Sequence, residues 1–229
     1  MKKGKNIGII LSGGIGARFG GEKPKQYYEL LGKEVIWYTI EAFRNSRLLD
    51  DFFCVVDENE YKLGHLKNDY GINVIPGGKT RNWSFKNALD YIKEMYPECE
   101  KIIENNAACP MITPKIIDDF LTLLDNYDYV NTAYKITDAL GSYKNRIANR
   151  DDFYLIQAPD AYHFSQIYKY FDADSPLGHP AHQLPQDASE YRYFDYPNNI
   201  KITYQDDIDI AEILMNKRNG AQKSNKNTK

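Results

Sequence analysis

The amino-acid sequence predicts an α/β fold, a Rossmann-like open and mostly parallel sheet with helices on both faces. Short apolar runs alternate with helical segments through most of the 229 residues. The first apolar run, 6–11, stops at a glycine-rich loop, as a buried strand does when it enters a tight turn. Hydrophobic residues make up 42 % of the chain, which suffices for the core of such a domain.

The other elements follow in order along the chain. Short apolar runs bounded by polar or turn residues predict further strands at 52–56, 72–75, 101–104, 129–134, 153–156 and 199–203. Helical spacing of apolar residues predicts helices at 35–45, 58–69, 82–95, 114–124, 164–170 and 206–215. Thr113 is a suitable N-cap, and Pro114 suits the first turn of the helix it begins.

Two stretches lack this periodicity. The polar segment 135–152 interrupts the alternation, so we interpret it as an arm that protrudes from a single domain spanning 1–215. The last stretch, 216–229, holds five basic residues, no acid and almost no apolar residue. Such a composition cannot bury a core face, so we predict a disordered basic tail.

Charge and cysteine content limit the partners, the metal sites and the cellular compartment to be expected. The net charge of −3 gives no reason to expect a nucleic-acid partner, and no apolar stretch is long enough to span a membrane. Cys54, Cys99 and Cys109 are widely spaced and form no CxxC pair. This spacing argues against a structural zinc site and favours a reducing compartment, so we expect a cytoplasmic protein.

The loop after the first strand is suited to a polyphosphate. It reads Ser12-Gly13-Gly14-Ile15-Gly16-Ala17-Arg18, and Pro24-Lys25 follows. Its glycines let backbone N–H groups approach an anion, and the two cations Arg18 and Lys25 add charge. The loop does not match the dinucleotide-binding fingerprint, because Phe19 occupies the position of its last glycine. It does not match a Walker loop either, because no Gly-Lys-Ser/Thr follows. The pattern favours a nucleotidyltransferase loop.

Two later motifs complete a resemblance. Gly77-Gly78-Lys79-Thr80-Arg81-Asn82-Trp83-Ser84 matches GG-x-x-R-x-x-S, and Asn106-Ala107-Ala108-Cys109-Pro110 matches most of Asp-Ala-Ala-Arg-Pro. With the first loop, they make residues 7–215 resemble the methylerythritol-phosphate and ribitol-phosphate cytidylyltransferases. That resemblance implies catalytic roles for Arg18, Lys25 and Lys201. It implies nucleotide binding by Ser12, Gly13, Gly14, Gly16, Gly77, Gly78, Arg81, Ser84 and Ala107.

The chain departs from this family where the family holds Mg²⁺. The family's aspartate is Asn106 here, and an amide is a weaker ligand than a carboxylate for a hard cation. We therefore expect Mg²⁺ as cofactor, with Asn106 a weak ligand. Either the triphosphate supplies most of the coordination, or an acid such as Glu104 or Asp57 helps.

The residues of the acceptor region differ from the family's pattern as well. The family's acceptor arginine is Cys109, and its Gln-Thr-Pro is Gln157-Ala158-Pro159. The resemblance places Arg150, Asp138, Cys109 and Ala158 at the acceptor, and it implies a homodimer in which the arm carries Arg150 into the partner's site. His179 and His182 have a metal-binding spacing, but without nearby cysteines we interpret them as solvated loop residues.

These observations predict a cytidylyltransferase. It would transfer CMP from CTP to a small phosphorylated or phosphonate acceptor, release pyrophosphate and form a CDP-linked product for cell-surface polysaccharide synthesis. Three alternatives stay open: methylerythritol-phosphate cytidylyltransferase of isoprenoid synthesis, an inactive nucleotide-binding homologue, and a sugar-nucleotide pyrophosphorylase that uses another nucleoside triphosphate.

Overall fold

A computed structural model describes residues 4–14, 16–144 and 149–226, and the side chains of residues up to 220. The strands are β1 (Lys5–Ser12), β2 (Glu29–Leu30), β3 (Lys33–Glu34), β4 (Asp51–Val56), β5 (Asn73–Pro76), β6 (Cys99–Asn106), β7 (Tyr129–Lys135), β8 (Tyr154–His163) and β9 (Glu190–Tyr193). The helices are α1 (Val35–Arg44), α2 (Glu58–Leu63), α3 (His65–Tyr70), α4 (Arg81–Met95), α5 (Pro114–Leu123), α6 (Phe164–Tyr170) and α7 (Asp206–Lys226).

Seven strands form one open sheet in the order β5-β4-β1-β6-β8-β7-β9. The half built from β5, β4, β1 and β6 is parallel, whereas β8 runs antiparallel to both of its neighbours. The carboxyl ends of β1 and β6 lie side by side, because Leu11 is in register with Asn106. Ligands bind at such ends of parallel strands. The predicted fold class is confirmed.

Helices cover both faces of the sheet, as the sequence predicts. Ile10 of β1 belongs to the hydrophobic cluster that contains α1, α5 and α7. Ile9 and Leu11 belong to the second cluster, with α4 and α6. This alternation is the two-residue period of a strand buried on both sides. Thr113 begins α5 as predicted, because its side chain accepts a hydrogen bond from the Ile116 N–H.

Two predictions about local structure were wrong, and strand β9 was not predicted. The helix expected at 58–69 is split at Gly64, whose φ of +69° is left-handed and ends α2. The strand expected at 199–203 is irregular. It is held by the buried side chain of Ile202 and one hydrogen bond from its N–H to the Ala108 carbonyl, so packing rather than sheet pairing places it. Strand β9 has no counterpart among the predicted elements.

The carboxyl-terminal helix is longer than predicted. Helix α7 continues to Lys226, so the disorder expected from residue 216 is wrong for 216–226, and residues 227–229 lie outside the described part. Arg218 gives one reason, because its guanidinium donates to the Met111 carbonyl at 2.9 Å and ties the helix to the body. None of the described helices is long and apolar enough to cross a bilayer.

The expected arm lies between β7 and β8. Residues 136–144 contain neither helix nor strand, and a short 3₁₀ turn at Arg150–Asp152 leads back into β8. Part of the predicted segment, 145–148, lies outside the described residues.

Candidate active site

A cleft of about 590 Å³ opens at the carboxyl ends of β1 and β6. It brings together segments that are far apart in sequence: the loop after β1, the start of α4, the end of β6 and the segment before α7. Its lining residues are Leu11, Ser12, Gly13, Gly14, Gly16, Ala17, Arg18, Lys25, Gln26, Gly78, Lys79, Thr80, Arg81, Ser84, Asn106, Ala107, Ala108, Lys201 and Thr203. Most of the predicted catalytic and nucleotide-binding residues therefore share one cavity, although Gly77 does not line it.

Local contacts fix the loop after β1. The buried side chain of Gln26 donates to the Ser12 carbonyl at 2.8 Å, which ties the far end of the loop to the end of the strand. Gly16 has a φ of +66°, a conformation that favours glycine, and its carbonyl accepts from the Phe19 N–H at 2.8 Å. The ring of Phe19 packs on that of Tyr28, with centroids 4.7 Å apart. The loop is thus held at both ends, while its glycines face the cleft.

Five cations and no acid line the cleft, and two of them have acidic neighbours outside it: Arg81 pairs with Glu104, and Lys79 lies 3.8 Å from Asp174. Arg18 and Lys201 are exposed, and Lys25 is half-buried between the loops. Burial lowers the pKa of Lys25, and the positive charges of Lys201 and Arg18 lower it further. Such mutual repulsion costs free energy unless an anion binds, so the cleft is suited to a polyphosphate.

The second glycine loop is braced by Ser84. Its hydroxyl accepts from the Gly78 N–H at 3.1 Å and donates to the Thr80 carbonyl at 3.0 Å. A Cβ on Gly77 would lie 2.9 Å from the Ser84 Oγ, so the close approach of the Gly77 backbone to Ser84 also favours glycine. Ser84 lines the cleft, and its one hydroxyl hydrogen is used within the loop, so a nucleotide could only donate to this hydroxyl.

The acids considered as metal ligands do not line the cleft, and one oxygen of each is engaged elsewhere. Glu104 is fully buried and accepts from the Arg81 Nη2 at 2.6 Å. Asp57 caps α2 by accepting from the Asn59 and Glu60 N–H groups. Among the described residues no group of three or more His, Cys, Asp or Glu side chains could hold a metal ion. With only the Asn106 amide at the predicted position, the chain does not fit a resident Mg²⁺.

The residues predicted at the acceptor do not gather in this cleft. Cys109 and Ala158 are 2 % and 7 % exposed and belong to the core, which corrects the expectation that they touch the acceptor. Burial raises the pKa of the Cys109 thiol to about 11, so the thiol stays protonated and packs as a small apolar group. Asp138 and Arg150 are exposed in the arm, where the Arg150 guanidinium donates to the Thr137 carbonyl.

Sequence reasoning missed a buried acid and its histidine. The His179 side chain is only 17 % exposed, and its Nε2 lies 3.1 Å from the Asp160 Oδ2, so the prediction of a solvated residue was wrong for His179. It holds for His182, which is exposed. The sequence did contain a sign of this buried pair, because Asp160 and Glu104 are acids inside apolar strands. Acids are rarely buried at such positions without a partner.

Comparison with known proteins gives the family. The model of the family IspD, 2-C-methyl-D-erythritol 4-phosphate cytidylyltransferase, matches residues 7–217. The Thermosipho melanesiensis 2-C-methyl-D-erythritol 4-phosphate cytidylyltransferase is 27 % identical over 216 residues, covering 89 % of this chain and 94 % of that protein. The bifunctional ribulose 5-phosphate reductase/CDP-ribitol pyrophosphorylase Bcs1 of Haemophilus influenzae is 30 % identical over 183 residues. This match covers 75 % of the chain but 38 % of that longer relative.

Solved structures share the fold. The 4-diphosphocytidyl-2C-methyl-D-erythritol synthase of Anaerococcus prevotii superposes with a TM-score of 0.78 at 21 % identity, covering 93 % of this chain and 97 % of that one. The bifunctional IspDF of Campylobacter jejuni superposes with a TM-score of 0.75 at 20 % identity, and the match covers 89 % of this chain and 53 % of that one. Because the family model spans the sheet, both glycine loops and Lys201, the chain belongs to the 2-C-methyl-D-erythritol 4-phosphate cytidylyltransferase family, whose members are CTP-dependent cytidylyltransferases.

Proposed function

We propose that this chain transfers CMP from CTP to a small phosphorylated or phosphonate acceptor, releasing pyrophosphate and forming a CDP-linked product. The observation that carries this proposal is the acid-free cleft, in which Arg18, Lys25 and Lys201 surround a glycine loop. The same three cations argue against an inactive homologue, because their repulsion has no structural benefit without an anionic ligand.

In the proposed reaction, an acceptor oxygen attacks the α-phosphorus of CTP. A P–O bond forms to the acceptor as the P–O bond to pyrophosphate breaks, so no covalent enzyme intermediate is needed. Backbone N–H groups of the Ser12–Gly16 loop hold the triphosphate. Lys25 and Arg18 stabilise the charge that develops on the α-phosphate and the leaving group, and Lys201 contributes from the opposite wall. Such catalysis depends on positioning and charge.

The acceptor is the least constrained part of the proposal. The family's acceptor arginine is replaced by Cys109, whose side chain is buried. Losing such an arginine removes contacts worth about 1.5–3 kcal/mol per hydrogen bond to a charged group. We therefore propose that methylerythritol phosphate is a poor substrate, and that the acceptor is another small phosphate or phosphonate destined for a cell-surface polysaccharide. Asp138 of the arm would favour an acceptor with an amine or several hydroxyls.

The family match favours a second candidate, methylerythritol phosphate itself. Pyrophosphate release can be compared across methylerythritol phosphate, ribitol phosphate, glycerol phosphate and amino-bearing phosphates or phosphonates. We expect at least about tenfold higher kcat/KM for a compound other than methylerythritol phosphate, the factor that about 1.4 kcal/mol represents. A wide advantage for methylerythritol phosphate would instead assign the enzyme to isoprenoid synthesis.

We propose that the chain is a homodimer built on the arm. Three exposed apolar side chains support this, since such clusters mark interfaces. They lie at the outer ends of β7 and β8, and Tyr134 is in register with Leu155; the three are Tyr134, Phe153 and Leu155. Leu155→Glu should give a monomer by light scattering, with reduced turnover because Arg150 no longer reaches the partner's site. Leu63→Glu, at a residue 73 % exposed on α2, is the matched control. A fully active monomer would rule out this role of the arm.

Magnesium is expected to enter with the nucleotide. Because the cleft lining contains no carboxylate, calorimetry should detect weak Mg²⁺ binding to the free protein and tight binding when CTP is present. Asn106→Asp should strengthen binding to the free protein. Tight Mg²⁺ binding by the unmodified protein without CTP would contradict this expectation, as would turnover in excess chelator.

We also propose a cytoplasmic location. Cys54, Cys99 and Cys109 are all free thiols, which is typical of a reducing compartment.

A further inference from the structure

One side chain joins two loop segments that carry cations of the cleft. The segment 16–25 follows β1 and carries two of these cations, and the segment 201–205 precedes α7 and carries Lys201. The side chain of Gln205 donates from Nε2 to the Phe19 carbonyl at 3.3 Å. Gln205 is not among the lining residues of the cleft, so it acts on the cleft through the backbone that it holds.

The Gln205 end of this hydrogen bond is fixed by the start of α7. The Gln205 carbonyl accepts from the Ile208 N–H at 3.0 Å. The carboxylate of Asp207 accepts from the N–H groups of Thr203 and Tyr204 at 2.7 and 2.8 Å, which fixes the segment before the helix. Because α7 packs against the hydrophobic core, the Gln205 amide is presented from a rigid element.

At the other end, the hydrogen bond fixes the carbonyl side of Phe19. The Phe19 ring is buried, and its N–H donates to the Gly16 carbonyl at 2.8 Å, so the amino side is held within the loop. Gly20 follows with a φ of +68°, and a Cβ there would meet nothing within 4 Å. A glycine in open space permits many backbone conformations. The Gln205 bond therefore selects one orientation for the Phe19–Gly20 peptide, which lies between the two cations of the segment 16–25.

Charge repulsion opposes this arrangement in the free protein. Burial lowers the pKa of Lys25, and the charges of Lys201 and Arg18 lower it further, so the cations of the two segments repel one another. This repulsion pushes the segments 16–25 and 201–205 apart as long as no anion lies between them. A hydrogen bond that joins the segments counters the repulsion until an anion binds.

We propose that Gln205 is a positioning residue for nucleotide binding, because its bond to the Phe19 carbonyl holds the segment 16–25 in the arrangement that receives a triphosphate. The inference rests on the proposed function, in which this triphosphate belongs to CTP. Without the bond, only the fraction of molecules with the segment in place binds CTP, which raises the dissociation constant. Once CTP is bound, its triphosphate holds the cations of both segments together, so kcat at saturating CTP should change little.

Two variants of Gln205 test the hydrogen bond in different ways. Gln205→Met keeps the length of the side chain but has no donor, whereas Gln205→Asn keeps the amide on a shorter side chain that does not reach the Phe19 carbonyl. In calorimetry with Mg²⁺ present, both should raise the dissociation constant of CTP about three- to tenfold, the range for one neutral hydrogen bond. At saturating CTP, kcat with the best acceptor of the panel should stay within about twofold.

Gln166→Met is the matched control. The Gln166 Nε2 donates to an Asp128 carboxylate oxygen at 2.7 Å, and neither residue lines the cleft. The control therefore removes the same chemical group from a hydrogen bond elsewhere in the protein. It should lower the midpoint of thermal unfolding but leave the dissociation constant of CTP and kcat unchanged. A loss of stability alone would then not account for the weaker binding of the Gln205 variants.

Hydrogen exchange of the free protein tests the bond without any ligand. Peptides that contain residues 16–25 should exchange faster in both Gln205 variants than in the unmodified protein, because the segment opens more often. Gln166→Met should leave the exchange of these peptides unchanged. Saturating CTP should remove most of the difference, since the triphosphate then holds the segment in place.

The outcomes separate this inference from the proposed function. Unchanged exchange of residues 16–25 in both Gln205 variants would overturn the inference, and so would a CTP affinity equal to that of the unmodified protein. A fall in kcat without a change in affinity would also overturn it, because Gln205 would then act on the chemical step. Lack of CTP binding by the unmodified protein would overturn the proposed function together with the role of Gln205 in nucleotide binding.

Discussion

Replacing Lys25 by alanine is expected to lower turnover by about 10²–10³-fold, equivalent to about 3–4 kcal/mol of barrier. Lys25 is a half-buried cation of the cleft, where burial lowers its pKa and the charges of Lys201 and Arg18 lower it further. A cation held in a poorly solvated site stabilises developing phosphate charge more strongly than one in bulk water. The loss should therefore appear mainly in kcat rather than in KM for CTP.

The control for this variant is two residues away. Lys23 is exposed and contacts the Tyr28 ring rather than the cleft, with its Nζ 5.3 Å from the ring centroid. Lys23→Ala changes the net charge of the same loop by the same amount and should leave turnover within about twofold, since surface substitutions are usually neutral. Near-normal turnover of Lys25→Ala in a steady-state pyrophosphate assay would remove Lys25 from the catalytic machinery.

Gly78→Ala is expected to weaken CTP binding by about 10–100-fold. A Cβ on Gly78 would lie 2.4 Å from the Trp83 Cβ and 2.8 Å from the Trp83 carbonyl carbon, both closer than atoms can approach. The backbone of α4 cannot move away as the end of a flexible side chain can. The loop that contains Gly78 must therefore shift, and the Gly78 N–H loses its hydrogen bond to the Ser84 hydroxyl. A displacement of about 1 Å at a binding loop can cost this much.

Calorimetry with CTP checks this expectation, and thermal unfolding shows whether the variant is folded. Gly178→Ala is the control, because a Cβ there meets nothing within 4 Å and should change neither property. Unchanged CTP affinity for Gly78→Ala would mean that the loop shifts without cost, and the second glycine motif would then be a turn rather than part of the nucleotide site.

The order of elements could be predicted because it depends on local patterns. Apolar runs and helical spacing locate β1, β4 and α4 within one or two residues, since burial on a sheet face or a helix stripe leaves a periodic trace. The segment 199–203 alternates polar and apolar residues as a half-buried strand does, but it lies outside the sheet. Its position depends on the packing of Ile202 and on the Ala108 carbonyl, contacts between distant parts of the chain that a local pattern does not contain.

The site could be predicted where residue type alone decides the chemistry. Glycine loops and the cations Arg18, Lys25 and Lys201 gather in one cleft as expected. The partners of each acid were not predictable, because Glu104 is engaged by Arg81 from another element and Asp57 by the helix that follows it. Both acids resemble metal ligands in the sequence, but neither lines the cleft.

The most direct test of the account is pyrophosphate release measured with CTP, UTP, ATP and GTP, each with and without the acceptor panel. We predict release that requires both CTP and an anionic acceptor, falls about 10²–10³-fold in Lys25→Ala and yields a CDP-linked product by phosphorus NMR. Equal release with another nucleoside triphosphate, or release from CTP that no acceptor increases, would contradict the assignment as a cytidylyltransferase acting on a phosphorylated or phosphonate acceptor.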